Sequence, residues 1–261
     1  MKSNYRYIVK AFMAMAVIAG TTSCDDFLDR EPMSSISPET YYSTAAQLEA
    51  NLNDEYPNVL PSFGQWTYGI FGEDKGTDNQ IEVNANDRYT QDRWKVPHSE
   101  SDNWKFERIY RINFFLSEAL PKFGEDMSGS QNTISGSVAT IKHYIGEMYF
   151  LRAYEYFKKL QLFGDFPIIN QPLADEMEAL REASKRFPRN EVARFIISDL
   201  DKAYAYMSDV DMATTRINKD AAMLVKSRVA LFEATWLQNF KGTAFVPGLS
   251  LIHISEPTRP Y

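Results

Sequence analysis

The chain has one cysteine, Cys24, and three histidines, His98, His143 and His253, in 261 residues. A single thiol excludes an internal disulfide framework and a thiolate metal cluster. Three scattered histidines make no metal-ligand set, and nothing in the sequence asks for a metal or a cofactor. A Gly-rich phosphate loop, a His–Glu metal motif and a nucleophile elbow are all missing. So is the strict alternation of apolar and polar residues that marks strands, and so is any apolar run of the roughly 20 residues a membrane-spanning helix needs. Positive charge is short as well. The formal charge is −7, and residues 1–23 hold three cations (Lys2, Arg6, Lys10) and no acid, so the remainder carries −10. An acidic body of that kind is a poor partner for nucleic acid.

What is present is globular in kind: 44% hydrophobic and 24% charged residues, with 15 Tyr and 17 Phe. Such a length allows one large domain or two small ones, and either buries a core. Aromatics serve cores, and Tyr and Trp also serve surfaces that stack on ligands.

The first 24 residues, "MKSNYRYIVKAFMAMAVIAGTTSC", have the parts of an export signal. Three cations precede the short apolar run from Ala11 to Ala19, and small residues lead up to Cys24. The run is too short to span a bilayer, so residues 1–23 read as a cleaved signal. A cysteine at that point resembles the lipidation site of a bacterial lipoprotein signal, with Thr21 a departure where Leu is usual. Several acyl chains on Cys24 give stable anchoring where one gives only marginal binding. The plainer alternative is an inert buried cysteine. Residues 24–40, rich in Asp, Ser and Pro, read as a tether. The aspartates after Cys24 resemble the acidic surface-export signal of Bacteroidetes-type lipoproteins.

Helices dominate from there. Thr44 with Gln47 forms a capping box for a helix over about 44–60. Phe106, Ile109, Asn113, Leu116 and Leu120 make one stripe of a helix over about 102–120, ended by Pro121 and Gly124. The polar Asn113 on that apolar face is expected to bond a neighbouring backbone group. A long helix over about 136–163 ends at Gly164 and Pro167. On it, Arg152 reads as a snorkelling stem or as an ion pair with an acid of a neighbouring helix, and Glu155 with Lys158 and Lys159 reads as ordinary surface pairing. Glu147 and Arg152, five apart, hold the scaffold without facing each other. "FPIINQPL" reads as extended. A fourth helix is expected from Asn190, its N-cap, to about Met207. A fifth follows Asn218 to about Phe240, with Ala221, Leu224, Arg228, Leu231 and Thr235 on one line and Ala222, Val225, Val229, Phe232 and Trp236 on the adjacent one, together a wide buried stripe. The fold class is all-α, built from stacked helix pairs with long irregular loops.

Five stretches together resemble the SusD/RagB family of outer-membrane nutrient-uptake lipoproteins. They are "CDDFLD" (24–29), "WKFERIYRINFFL" (104–116), "GEMYFLRAYEYFKKLQLFGDFPII" (146–169), "PRNEVARFIISDLDKAYAYM" (188–207) and "INKDAAMLVKSRVALFEATW" (217–236). The resemblance implies a tetratricopeptide-like helical scaffold over residues 41–248, incomplete at its C-terminal end. It also implies a lipid-anchored, surface-exposed outer-membrane protein that captures an oligosaccharide or a peptide for a SusC-like TonB-dependent transporter. No hydrolysis is implied, and the alternative is a structural or adhesive surface lipoprotein with no small ligand. Residues 249–261, "LSLIHISEPTRPY", continue no family pattern and resemble an in-frame sequencing adapter, so His253 carries no functional weight.

Residues 61–99 lose periodicity and interleave Trp66, Tyr68, Asp78, Arg88, Tyr89 and Trp94. A long segment without clear elements inside a compact domain is commonly functional. Aromatic faces cover the apolar side of a sugar while Asp and Arg bond its hydroxyls. Asp78, Arg88 and Trp94 are the candidate ligand-binding residues; the alternative for each aromatic is a buried anchor for its own loop. No residue is singled out as catalytic, because the acid pairs in the sequence are of the kind that occur by chance.

Overall fold

The computed structural model describes residues 41–61, 79–80, 103–124, 126–208, 215–243 and 245–246. Cys24, Asp78, Arg88 and Trp94 lie outside them, as do the expected signal, tether and tail. The chain divides into two units, residues 1–41 and 42–261, and the second carries every helix below.

Six helices follow one another among the described residues: α1 (Ala45–Val59), α2 (Glu107–Phe123), α3 (Val138–Phe163), α4 (Met177–Ala183), α5 (Arg189–Tyr206) and α6 (Lys219–Phe240). No strand occurs there, only isolated bridges. The all-α reading holds. The α1 cap is as expected: Thr44 Oγ1 accepts from Gln47 N–H, and Gln47 Oε1 accepts from Thr44 N–H at 3.0 Å.

The 26-residue α3 is the central element. It packs against α1, α2 and α5, and α5 in turn packs against α6. From Ile141 to Leu160 nearly every side chain is buried, so this helix is enclosed all round rather than amphipathic. Gly146 permits its close approach to α5, because an added Cβ would lie 2.8 Å from Met207 N and 2.9 Å from Ala203 O.

Glu147 stands buried on α3 and joins three parts of the chain. Tyr56 of α1 donates its hydroxyl proton to Glu147 Oε2 at 2.8 Å. Arg216, just before α6, donates to both carboxylate oxygens at 2.8 and 2.6 Å. His143 Nε2 lies 3.1 Å from Glu147 Oε1. Burial, reinforced by the Glu147 carboxylate, holds the Tyr56 phenol well above its ordinary range, so it stays a proton donor.

Several expected boundaries and faces shift. Helix α2 begins at Glu107 and runs through Pro121 to Phe123. A proline in the last turn forfeits only one backbone bond, and Gly124 at φ 102° then turns the chain. Helix α5 begins at Arg189 with Pro188 before it, so Asn190 is inside the helix rather than its cap. The capping group comes from elsewhere: Asp165 Oδ1 accepts from Arg189 N–H at 2.9 Å. The buried stripe of α6 is narrower than expected: of its two lines only Ala222 and Val229 are buried. Leu224 is 72% exposed and Leu231 66%, while Ala222, Val229, Glu233 and Leu237 are buried. Among the described elements α6 packs mainly on α5, which covers only a narrow face.

Candidate functional site

The extended segment after α3 is held from within the core. Arg152 donates from Nε to Asp199 Oδ2 at 2.6 Å and from Nη2 to Asp199 Oδ1 at 2.8 Å. Its Nη1 donates to Asn113 Oδ1 at 2.9 Å and to Asn170 O at 3.1 Å. Asn113 Nδ2 donates to Ile169 O at 2.8 Å. Tyr156 donates its hydroxyl to Ile169 O at 3.0 Å and accepts from Ile169 N–H at 2.8 Å. Asn113 bonds a backbone carbonyl as expected, Arg152 takes the ion pair of its two readings, and both groups serve the same backbone stretch. Burial opposes the Arg152 charge, and the Asp199 carboxylate outweighs it, so the guanidinium is held more firmly protonated than an ordinary arginine. Burial likewise pushes the neighbouring Tyr149 phenol up to about 12.

The Glu155 group is not a surface feature. Glu155 is 3% exposed and Lys159 6%. Glu155 Oε1 lies 3.3 Å from Lys159 Nζ, and Oε2 lies 3.6 Å from Lys158 Nζ. The i+3 and i+4 spacing is the same for buried and exposed pairs, and α1 and α2 cover this face of α3.

With its inner edge fixed, the segment from Pro167 to Leu173 forms one wall of a groove of about 400 Å³. The stretch leading into α2 supplies Trp104 and Phe106, the first turn of α2 supplies Tyr110, and α4 supplies Leu180 and Ala183. Gln171, Asp175 and Ser184 are the polar side chains on its walls. Trp104 is fixed edge-to-face by Phe163 and Phe166, each with ring centroids 4.8 Å away. The Arg186 guanidinium lies 4.7 Å from the Trp104 ring centroid. Tyr110 is 51% exposed and offers a free surface. Aromatic walls with a few directed polar groups hold a ring-shaped ligand by its apolar face and its hydroxyls. Asp175 is the one carboxylate among the described residues lining the groove, so they supply no carboxylate pair for glycoside hydrolysis.

Sequence reasoning placed the site in residues 61–99 and missed this groove. The available signal was the Trp104, Phe106 and Tyr110 series beside a proline-bounded extended stretch. Among the described residues, no cluster of three or more His, Cys, Asp or Glu could hold a metal. No described helix is long and apolar enough to cross a membrane.

Residues 26–231 match the model of a SusD-like family described as "starch-binding associating with outer membrane". The chain belongs to the SusD-like family. Two curated relatives from Formosa agariphila are similar to it. SusD-like protein P25 is 25% identical over 233 residues, covering 82% of this chain and 41% of its own length. SusD-like protein P2 is 25% identical over 253 residues, covering 92% and 46%. This SusD-like chain therefore spans less than half the length of the curated relatives it matches. A solved SusD-like carbohydrate binding protein from Bacteroides fragilis shares the fold, with TM-score 0.50 and 19% identity over 77% of this chain and 40% of that one.

Proposed function

We propose that this SusD-like chain belongs to an outer-membrane lipoprotein, anchored through Cys24 and exposed at the cell surface. It binds oligosaccharides and passes them to a SusC-like TonB-dependent transporter, without catalysing a reaction. The observation that carries this reading is the family match over residues 26–231, with its description as starch-binding and outer-membrane associated. The Trp104–Tyr110 wall supports it, because the ring faces and the nearby Gln171 and Asp175 suit a pyranose. Asp78, Arg88 and Trp94 are proposed as further ligand contacts.

Calorimetric titration with starch-derived and β-linked oligosaccharides tests the reading. Binding is expected, and Tyr110→Ala weakens it about two- to ten-fold, the value of one aromatic contact. The half-exposed position of Tyr110 leaves melting almost unchanged. Cys24→Ala is expected to release the protein from the membrane fraction. A second reading, peptide capture, is favoured by the apolar bulk of the groove walls around Ile109, Ile169 and Leu180. Titration of peptides with saturation, and no glycan response, would put it in place of the first.

A further inference from the structure

A second cavity, of about 310 Å³, lies between the end of α3, the start of α5 and the end of α6. Gly164, Asp165, Arg186, Arg189 and Trp236 are on its walls. It adjoins the groove. Trp104 of the groove meets Phe163, which lines the second cavity, edge-to-face with ring centroids 4.8 Å apart. Arg186 lies 4.7 Å from the same Trp104 ring and also lines the second cavity. One pair of aromatic rings and one guanidinium thus separate the two spaces.

Their chemistry differs. No cation lines the groove among the described residues, whereas the second cavity has two. Arg189 is buried, with its guanidinium 4.2 Å from the Trp236 ring centroid. Its Nε and Nη2 donate to Glu233 Oε2 at 3.0 and 2.8 Å. Those bonds leave Nη1 over. Gly164, at φ 71°, stands beside that nitrogen, and a Cβ added there would lie 3.5 Å from it. A longer side chain would crowd Nη1, and glycine leaves the space to the cavity. Glu233 neutralises Arg189, and Asp165 is engaged with the Arg189 N–H, so the charge left for a ligand is that of Arg186. In a chain with more acids than cations, Arg186 has no carboxylate beside it among the described residues. A guanidinium resting on an aromatic face keeps its donors for another group, and its planar fork suits a carboxylate or a sulfate.

We infer that this cavity is a subsite for an acidic sugar beside the groove. Arg186, backed by Arg189, binds a carboxylate or sulfate group on the residue next to the one held against Trp104 and Tyr110. The inference rests on the glycan reading of the groove and narrows it to oligosaccharides that carry negative charge.

Calorimetric titration of the full chain with paired probes tests this. Trigalacturonate is compared with its methyl ester, and a sulfated galactan oligosaccharide with its desulfated form. The wild type is expected to bind the charged member of a pair about five-fold tighter or more at low salt, the value of a charge-assisted hydrogen bond reduced for an exposed guanidinium. Added salt shrinks the ratio. A preference within the first pair assigns a carboxylate, and one within the second a sulfate. Arg186→Met keeps an apolar stem on Trp104 and brings the ratio to parity, while Arg186→Lys keeps part of it. Arg186 is exposed, so melting stays near wild type. Parity in the wild type for both pairs, or a ratio that Arg186→Met leaves unchanged, overturns the inference, and the glycan reading stands if the uncharged members bind. Binding by none of these probes overturns both.

Discussion

Arg152 of α3 and Asp199 of α5 form a doubly hydrogen-bonded ion pair that solvent does not reach, with N–O distances of 2.6 and 2.8 Å. The same guanidinium also orients Asn113 and the carbonyl of Asn170. One side chain thereby joins two packed helices to a wall of the groove.

Arg152→Met is expected to lower the unfolding free energy by about 3–5 kcal/mol, because Asp199 is left as a buried charge without its partner. The double variant Arg152→Met with Asp199→Leu should lose less than Arg152→Met alone. Urea denaturation of these two proteins and of Asp199→Leu alone checks this. A double variant as unstable as the sum of its single changes would mean that the pair is not coupled.

Gly146→Ala tests the contact between α3 and α5. In an open helix this change stabilises by about 1 kcal/mol. Here the new methyl meets backbone atoms of Ala203 and Met207, which have no rotamer with which to yield. Overpacking of that kind costs about 1–3 kcal/mol, so a net loss of stability is expected. A raised urea midpoint would show that the helices part without penalty.

Glu55 gives a pH dependence with a definite sign. Its carboxyl is buried, Arg111 Nε is 2.6 Å away, and burial outweighs that attraction, so its pKa in the folded protein lies above the ordinary 4.5. The folded protein then holds the proton to higher pH than the unfolded chain does. Stability contributed by Glu55 is present below about pH 4.5 and is lost as pH rises through the higher folded value. Glu55→Gln should therefore be more stable than wild type at pH 7, with the advantage shrinking toward pH 4. Parallel thermal melts across that range decide it, and a variant weaker at pH 7 would contradict the sign.

The helices were legible because apolar spacing and caps are local. Thr44 and Asn218 announce their helices in sequence and cap them in space. Asn113 and Arg152 were legible as satisfied polar groups, because a charged or amide side chain on an apolar face has few other options. Glu155 and Lys159 were not, since i+4 spacing carries no information about what covers the helix. The cap of α5 was missed for a similar reason, although its start was placed to within one residue: the capping group, Asp165, lies 24 residues away from Arg189. Leu224 and Leu231 read as core from periodicity alone, but burial depends on a neighbouring element that the pattern does not name. The groove was hidden because its walls come from α2, the stretch after α3, and α4, three places with no common motif.

One small feature bears on how such a scaffold changes what it holds. Phe166 and Phe187 exchange two backbone hydrogen bonds, at 3.2 and 3.1 Å, and Asp165 secures the chain where it re-enters α5. The excursion between them, which includes α4 and much of the groove, is closed at its base like a cassette in a fixed socket. Within it, Ile169 and Asn170 are bonded from the core by Tyr156, Asn113 and Arg152, and the stretch from Gln171 to Ser184 makes none of those bonds. The groove wall from Gln171 to Ser184 is then free to vary while the hydrogen bonds that close the base of the excursion stay in place.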